Sequence, residues 1–180
     1  MFLDRWGEFA GWRMSQDVVW EKPRGTGFTT DRFARVHEYA LHFYRGPWSG
    51  VHHDVPRIGV RGSDVTIRRT GYSGGVHGTS GAAVYEGDGT RLMPSVIRAA
   101  NMFKRGLHPT EKPVAVLTPL IEFAVPPGGS ILDPMAGSCS TAVAARLTGR
   151  HAVCIEADEA MCEKAARRLD QGVLPMGETS

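Results

Sequence analysis

One stretch of the sequence combines residue types that can bind a nucleoside carrying a charged tail. The apolar run from Ser130 to Asp133 ends in an acid, and mostly small residues follow it up to Thr141. At the carboxyl end of a parallel strand, small side chains let a ligand approach the backbone, while N–H groups at the start of the next helix face its charged groups. Glu156 comes 23 residues after Asp133, where a carboxylate can accept hydrogen bonds from two ribose hydroxyls.

A structural explanation of the same residues stays open. In that explanation Asp133 caps the turn that follows it, and Glu156 lies on an exposed strand end without a ligand. Both explanations predict the same local strand, turn and helix. They differ in whether the two carboxylates bind a ligand.

The elements that must position these residues alternate from about Gly106 onward as helix, strand, helix, strand and helix. Such alternation specifies a parallel sheet with crossover helices. Pro113 suits the first turn of the first helix, whereas Pro119 should kink or shorten it. We predict strands over 130–133 and 152–156, a helix over 140–147 and a last helix capped by Asp158. The predicted fold class is therefore α/β.

The residues before Gly106 show other sequence patterns. Strand-like patterns occur before Tyr44, and the region from Gly46 to about Thr90 holds 11 of the 22 glycines, which favours irregular hairpins and loops. Between Arg45 and Arg105 there are nine Arg or Lys residues against four acids, although the net charge of the chain is only +2. This excess indicates either a localised anion-binding surface or a solvated loop.

Length and composition exclude several classes of protein. At 180 residues, 19.6 kDa and 42% hydrophobic content, the chain can build one sizeable core. It has no run of about 18 apolar residues and no signal-peptide pattern, so we expect a soluble, cytoplasmic protein without membrane contact. Its three cysteines form no C-x-x-C pair, which predicts reduced thiols and no metal site.

Two motifs give the sequence a specific resemblance. The segment from His108 to Pro113 reads HPTEKP, and the turn after the predicted strand begins with Asp133-Pro134 and reads DPMAGSCST. They resemble the HPTxKP and DPxxGSGTT motifs of DNA amino-methyltransferases, the adenine-N6 and cytosine-N4 enzymes. Upstream, VVWEKP and HEY resemble the WxKP and HE-containing strands of the same family. The order of these motifs matches the permuted, β-type members.

The resemblance implies a partial Rossmann-like methyltransferase sheet with a loop-rich target-recognition insertion, and S-adenosylmethionine as cofactor. Residues 1–45 would be the N-terminal strands, 46–104 the target-recognition region and 105–180 the cofactor-binding half. Glu156 would hold the ribose, with Thr110 and Lys112 nearby. The methionine moiety would be lined by Asp133, Pro134, Ala136, Gly137, Ser138 and Ser140.

The resemblance also implies a partner, double-stranded DNA, from which the target base is flipped into a pocket. The loop-rich region would supply phosphate, guanine and stacking contacts. The candidate DNA-binding residues are Arg57, Arg61, Arg68, Arg69 and Tyr72. A solvated-loop role stays open for each of them.

The sequence departs from the family at two places. Family members carry glycine where this chain has Cys139, which matters if the backbone there needs positive φ. The catalytic [DNS]-P-P-[YFW] tetrapeptide is absent, because the only Pro-Pro follows Val125. In the permuted order it belongs upstream of Met1, so the catalytic residues cannot be named. A late start of the chain, a second chain or homodimer that completes the active site, and lost activity all stay open.

Alternative function classes have weaker support. A DNA- or cofactor-binding remnant without methyl transfer is favoured by the missing tetrapeptide. An HNH-like nuclease would use His52, His53 and Asp54, but its remaining metal ligands have no recognisable spacing. A dinucleotide oxidoreductase is disfavoured because the sequence contains no G-x-G-x-x-G.

Overall fold

The computed structural model describes residues 10–23, 30–59, 68–70, 81–83, 89–102, 106–108 and 110–171, with backbone alone for 68–70 and 81–83. The chain divides into two compact units, Met1–Asp54 with Pro94–Ser180, and Val55–Met93. The second unit falls inside the range 46–104, whose role in target recognition stays a prediction. Within the described ranges, no helix is long and apolar enough to cross a membrane.

The helices and strands of the described residues follow one another along the chain. In order they are β1 (Trp12–Glu21), β2 (His37–Arg45), β3 (Arg57–Gly59), β4 (Arg68–Thr70), β5 (Gly81–Ala83), β6 (Thr90–Leu92), β7 (Val96–Arg98), α1 (Val114–Ala124), β8 (Ser130–Asp133), α2 (Ser140–Leu147), β9 (His151–Cys154) and α3 (Glu159–Asp170). A short 3-10 turn at Trp48–Gly50 follows β2.

A three-stranded sheet of order β2-β1-β7 carries the N-terminal part of the first unit. β1 pairs antiparallel with β2 and parallel with β7, so that Trp20 lies opposite both Glu38 and Ile97. Trp20 and Ile97 are buried, and the Trp20 indole Nε1 donates a hydrogen bond to the Ala99 carbonyl at 2.8 Å. The two strands predicted near the N-terminus are confirmed.

A second sheet, of two parallel strands, carries the C-terminal part of the same unit. β8 pairs with β9 in the register Ile131 opposite Ala152, and α2 is the crossover between them. Small side chains let α2 pack closely against α1 and β9, since Ala144 and Ala145 are almost completely buried. This parallel unit is the arrangement that the alternating pattern predicts.

The two faces of β8 and β9 differ. One face turns Cys154 toward a small core whose buried members are Ala136, Cys139 and Ala165, and Ala152 on the same face is half-buried. The other face exposes apolar side chains, including Leu132 at 64% and Val153 at 59% exposure, followed by Ile155 at 54%. Parallel sheets are ordinarily covered on both faces. The described body therefore carries an uncovered apolar surface.

Two local predictions need correction. Of the two effects predicted for Pro119, a kink or a shorter helix, the shorter helix is wrong, because α1 runs on through Pro119 to Ala124. The predicted strand 152–156 begins and ends earlier, at His151 and Cys154. Beyond Cys154 the Ile155 carbonyl accepts a hydrogen bond from the N–H of Ala136, at 2.9 Å. That bond joins the chain to the turn after β8, so Glu156 lies just past the strand.

The cap predicted at the start of the last helix is confirmed. The carboxylate of Asp158 accepts a hydrogen bond from the N–H of Met161 at 3.3 Å, which caps α3. Met161 and Ala165, four residues apart on α3, are buried and form its inner face.

The second unit contains short antiparallel pairs. β3 pairs with β6, with Arg57 opposite Leu92, and β4 pairs with β5, with Arg68 opposite Ala83. Each of these strands has three residues, as expected for the glycine-rich region.

Candidate functional site

The turn after β8 is organised by Asp133. Its Oδ1 accepts a hydrogen bond from the N–H of Met135 at 3.2 Å, and its Oδ2 accepts one from the hydroxyl of Thr141 at 2.6 Å. The carboxylate thus ties the start of the turn to the first turn of α2. Pro134 and Met135 are exposed, whereas Ala136 is buried beneath them.

The backbone of this turn passes twice through the left-handed region. Gly137 has φ of 51° and Cys139 has φ of 55°. Glycine adopts such angles freely, whereas a residue with a Cβ is strained there. Cys139 is the one described non-glycine residue with positive φ. This backbone conformation favours the glycine of the DPxxGSGTT motif, and Cys139 adopts it under strain.

The turn leaves room on the side of Gly137. A Cβ built on Gly137 would have no atom within 4 Å, other than those of its chain neighbours. No side chain caps the N-terminus of α2, which begins directly after the turn. A helix N-terminus in this place favours negative charge through its N–H groups and dipole. These features suit a ligand with a carboxylate.

Glu156 lies against the same turn. Its Oε2 accepts a hydrogen bond from the N–H of Gly137 at 2.7 Å, and its Oε1 accepts from the N–H groups of Ala157 and Asp158 at 2.9 and 3.0 Å. Hydrogen bonds from the backbone of Asp158 and Gly137 hold the pKa of Glu156 below its usual range. The carboxylate is therefore ionised and keeps acceptor capacity on Oε2 for a hydroxyl.

Ser138 and Ser140 face inward. Both are buried, and their hydroxyl oxygens lie 3.4 Å apart. Any contact that they make with a ligand on the open side of the turn comes from their backbone.

The HPTEKP segment lies directly before α1. Thr110 is exposed, and its N–H and hydroxyl both contact Nδ1 of His108, at 3.2 and 2.9 Å. The side chain of Lys112 is 46% exposed, and its ammonium donates a hydrogen bond to Oε2 of Glu38 at 2.8 Å. Lys112 is thus anchored to β2 rather than extended into solvent.

Glu38 joins three of the motifs that carry the family resemblance. Its Oε1 pairs with the buried Lys22, which belongs to the WEKP run and directly follows β1, and its Oε2 pairs with Lys112. Both ammonium groups also lie over the Trp20 ring, at 4.8 and 5.6 Å from its centroid. Burial alone would raise the pKa of Glu38, but the two lysines hold that pKa below its usual range. The three motifs could be recognised in the sequence, but nothing in the sequence predicted that Lys22, Glu38 and Lys112 form one cluster.

The predicted DNA-binding residues are only partly described. Arg57 is exposed, and its Nε donates a hydrogen bond to the hydroxyl of Thr90 at 2.7 Å, which joins β3 to β6. The backbones of Arg68 and Arg69 lie in β4, but their side chains fall outside the described part of the chain, as do Arg61 and Tyr72 entirely. Their contacts with DNA stay predictions.

The histidines of the nuclease alternative make local contacts. The ring of His52 lies within hydrogen-bond distance of the Glu122 carbonyl, at 3.2 Å, and that of His53 reaches the Val51 carbonyl at 2.5 Å. Among the residues that the structure describes, no group of three or more His, Cys, Asp or Glu side chains is placed to hold a metal ion.

Two of the three cysteines are shielded from solvent, since Cys139 is buried and Cys154 is half-buried. Burial raises the pKa of the Cys139 thiol and raises that of Cys154 to about 12. Both are therefore protonated near neutral pH, when a thiol is a poor nucleophile. The structure therefore gives no support to a nucleophilic role for Cys139.

Comparisons with solved structures identify the fold of the chain. The chain superimposes on the M1.HpyAVI–SAM complex with a TM-score of 0.60 and 18% identity, over 93% of this chain and 67% of that one. It superimposes on the cytosine-N4-specific PvuII DNA methyltransferase with a TM-score of 0.62 and 14% identity, over 98% and 57%. These likenesses confirm the predicted methyltransferase fold.

Sequence comparisons give the family. The DNA adenine methyltransferase YhdJ of Escherichia coli strain K12 is 41% identical over 63 residues, which are 35% of this chain and 21% of YhdJ. The segments of the curated relatives that match this chain make up between 21% and 27% of their length, so the match spans about a quarter of each relative. A family model described as DNA methylase, N6_N4_Mtase, matches residues 5–167. The chain therefore belongs to the N6/N4 DNA methylase family.

Proposed function

We propose that this chain carries the cofactor-binding half of a DNA amino-methyltransferase. Its ligand is S-adenosylmethionine, and the reaction it serves transfers a methyl group to an exocyclic amine of adenine (N6) or cytosine (N4) in double-stranded DNA. The observation that carries the proposal is the pairing of Glu156 with the N–H of Gly137 across the carboxyl ends of β8 and β9. In open α/β sheets, ligands bind at that edge.

The residues of the turn fit the proposed cofactor. S-Adenosylmethionine carries a ribose and a methionine carboxylate, and when bound it supplies an electrophilic methyl group. The ionised Glu156 offers an acceptor to the ribose hydroxyls. The uncapped start of α2 and the open side of Gly137 offer N–H groups and space to the methionine moiety. Asp133 keeps the turn in place through its bonds to Met135 and Thr141.

Thr110 and Lys112 belong to the same proposal. The side chain of Lys112 is partly exposed although its ammonium pairs with Glu38. An ammonium has three donors, so this pairing leaves donors for a carboxylate. DNA contacts are proposed for the loop-rich region, with Arg57, Arg61, Arg68, Arg69 and Tyr72 as candidates.

A second candidate function is binding without methyl transfer. It is favoured by one observation, the absence of a [DNS]-P-P-[YFW] tetrapeptide from the sequence. In this alternative the chain binds S-adenosylmethionine, DNA or both. It transfers a methyl group only when a second polypeptide supplies the residues that hold the target amine.

One experiment separates the two candidates. The full chain is incubated with S-adenosylmethionine labelled in its methyl group and with unmethylated plasmid DNA. Transfer is read as label in the DNA, and cofactor binding is read in parallel as label attached to the protein after ultraviolet irradiation. Glu159→Gln, an exposed change at the start of α3, is the control for Glu156→Gln.

Each outcome supports one candidate. Label in both protein and DNA shows a complete methyltransferase. Label in the protein alone supports the binding function. Absence of label from the protein, or equal labelling of the Glu156→Gln variant and the wild type, contradicts the proposed cofactor site.

A further inference from the structure

One arginine of α3 contacts two separate parts of the proposed site. Nη1 of Arg168 donates hydrogen bonds to the Ser138 carbonyl at 3.0 Å and to the Ser140 hydroxyl at 3.3 Å. Its Nη2 lies 3.1 Å from Oε1 of Glu111. A single guanidinium therefore joins the turn after β8 to the HPTEKP segment before α1.

The contact between Arg168 and Glu111 is shielded from water. The side chain of Glu111 is 2% exposed and that of Arg168 is 22% exposed. Oε2 of Glu111 also accepts a hydrogen bond from the N–H of Leu107 at 2.8 Å, so both of its oxygens are engaged. A guanidinium offers five donors in a fixed plane, whereas a lysine ammonium is a single point charge. Arginine is thus the cation suited to spanning both partners.

Arg168 also acts on the strained part of the turn. The peptide between Ser138 and Cys139 is held at both ends, because its carbonyl accepts from Arg168 and its N–H donates to the Ala136 carbonyl at 2.8 Å. Cys139 lies in the left-handed region directly after this peptide. A strained backbone persists only when its surroundings determine it. Arg168 supplies one of those restraints.

We infer that Arg168 is a positioning residue of the cofactor site, which holds the turn from Gly137 to Ser140 in register with the segment that carries Thr110 and Lys112. It acts through the Ser138 carbonyl and the Glu111 carboxylate. The consequence for cofactor affinity rests on the proposed function. The geometric part, the coupling of turn and segment, does not.

The test uses the full chain with Arg168→Lys, Arg168→Met and a double variant, Glu111→Met with Arg168→Met. The matched control is Arg167→Met on the same helix, because Arg167 is exposed and its ion pair with Glu163 spans 3.5 Å on the surface. Three quantities are measured for each: thermal stability, amide hydrogen exchange over 106–112 and 136–143, and the Kd for S-adenosylmethionine.

We expect Arg168→Lys to speed exchange in both segments and to raise the Kd at least about tenfold, a change that mutating one charged hydrogen-bond donor can produce. Arg168→Met should do the same and also lower stability, since it leaves Glu111 buried without its cation. The double variant removes both buried charges. It should recover stability while exchange and Kd stay raised.

A purely structural role gives a different pattern. If the double variant has wild-type stability together with wild-type exchange and Kd, Arg168 only neutralises Glu111 and the inference is overturned. If Arg168→Met does not fold, the double variant and Arg168→Lys still decide the question. If the wild type binds no S-adenosylmethionine, the proposed function fails, whereas the exchange data still decide whether Arg168 couples the two segments.

Discussion

Cys139 is the residue at which this chain differs most instructively from its family. Its φ of 55° places a side chain where glycine is favoured, and its buried thiol packs among Ala136, Ala165 and Cys154. The strain of the left-handed region and the packing of the sulfur oppose each other. Substitution at this position can separate the two effects.

We expect Cys139→Gly to be more stable than Cys139→Ala by about 1 kcal/mol, because both lose the sulfur but only alanine keeps the strained Cβ. Urea denaturation of the two variants measures the difference. The control is Ala166→Gly, an exposed position within α3, where glycine should instead cost about 0.5–1 kcal/mol. An alanine variant as stable as the glycine variant would show that Cys139 is unstrained in solution.

Among the elements, β1, β2 and the segment before α1 meet at Glu38. This carboxylate bonds to Lys22 and Lys112, and Lys22 is only 9% exposed. Because the two lysines lower its folded-state pKa, Glu38 contributes stability above the ordinary glutamate value of 4.5 and loses it as the pH falls through the lower, folded value.

We therefore expect Glu38→Gln to lower stability by about 1–2 kcal/mol near neutral pH, as for other hydrogen-bonded charges. The gap between wild type and variant should be constant at neutral pH and shrink once the pH falls below 4.5. Denaturant titrations across the acid range measure it. Glu21→Gln, which removes a surface pair with the 81% exposed Arg98, should show a much smaller gap. A pH-independent gap for Glu38→Gln would contradict the ion-pair account.

The cap of α3 allows a second prediction for an element. Asp158→Ala removes the acceptor for the Met161 N–H and should cost about 1 kcal/mol. Asp170→Ala at the other end of α3 is the control, because a negative charge near a helix C-terminus is unfavourable and its loss should be neutral or stabilising. Equal destabilisation by the two changes, measured by thermal unfolding, would exclude the cap as the cause.

The sequence predicts local elements well and distant contacts poorly. β8, α2 and α3 follow from local patterns, such as the apolar run that becomes β8 and the Asp158 cap of α3, and these patterns depend on neighbouring residues only. Glu38 and Lys112 are 74 residues apart, and Arg168 is 30 residues from Ser138. No periodicity or capping rule specifies such pairs, because they form only when the elements pack. The sequence also leaves the φ of Cys139 undetermined, because this strained angle depends on contacts with distant residues such as Arg168.

At the scale of the whole molecule, the described body buries little. None of its large side chains is fully buried within the described ranges, and the apolar face of β8 and β9 is open. Exposed apolar side chains tolerate polar replacement, whereas buried ones do not.

The same substitution on and off this face tests its exposure. Val153→Thr, at 59% exposure, should change stability by less than about 0.5 kcal/mol. Val116→Thr, at 6% exposure in α1, should cost about 1–3 kcal/mol, because it buries a hydroxyl. Equal costs in urea denaturation would mean that the β8–β9 face is covered in solution.

The central claim is that the turn after β8 and Glu156 together bind S-adenosylmethionine. Its most direct test is a calorimetric titration of S-adenosylmethionine into the full chain and into Glu156→Gln, with circular dichroism to verify that both are folded. We predict saturable binding by the wild type and a Kd at least about tenfold higher for the variant. Absence of binding at about 1 mM ligand, a concentration that detects even very weak sites, would contradict the claim, as would equal affinity of the two proteins.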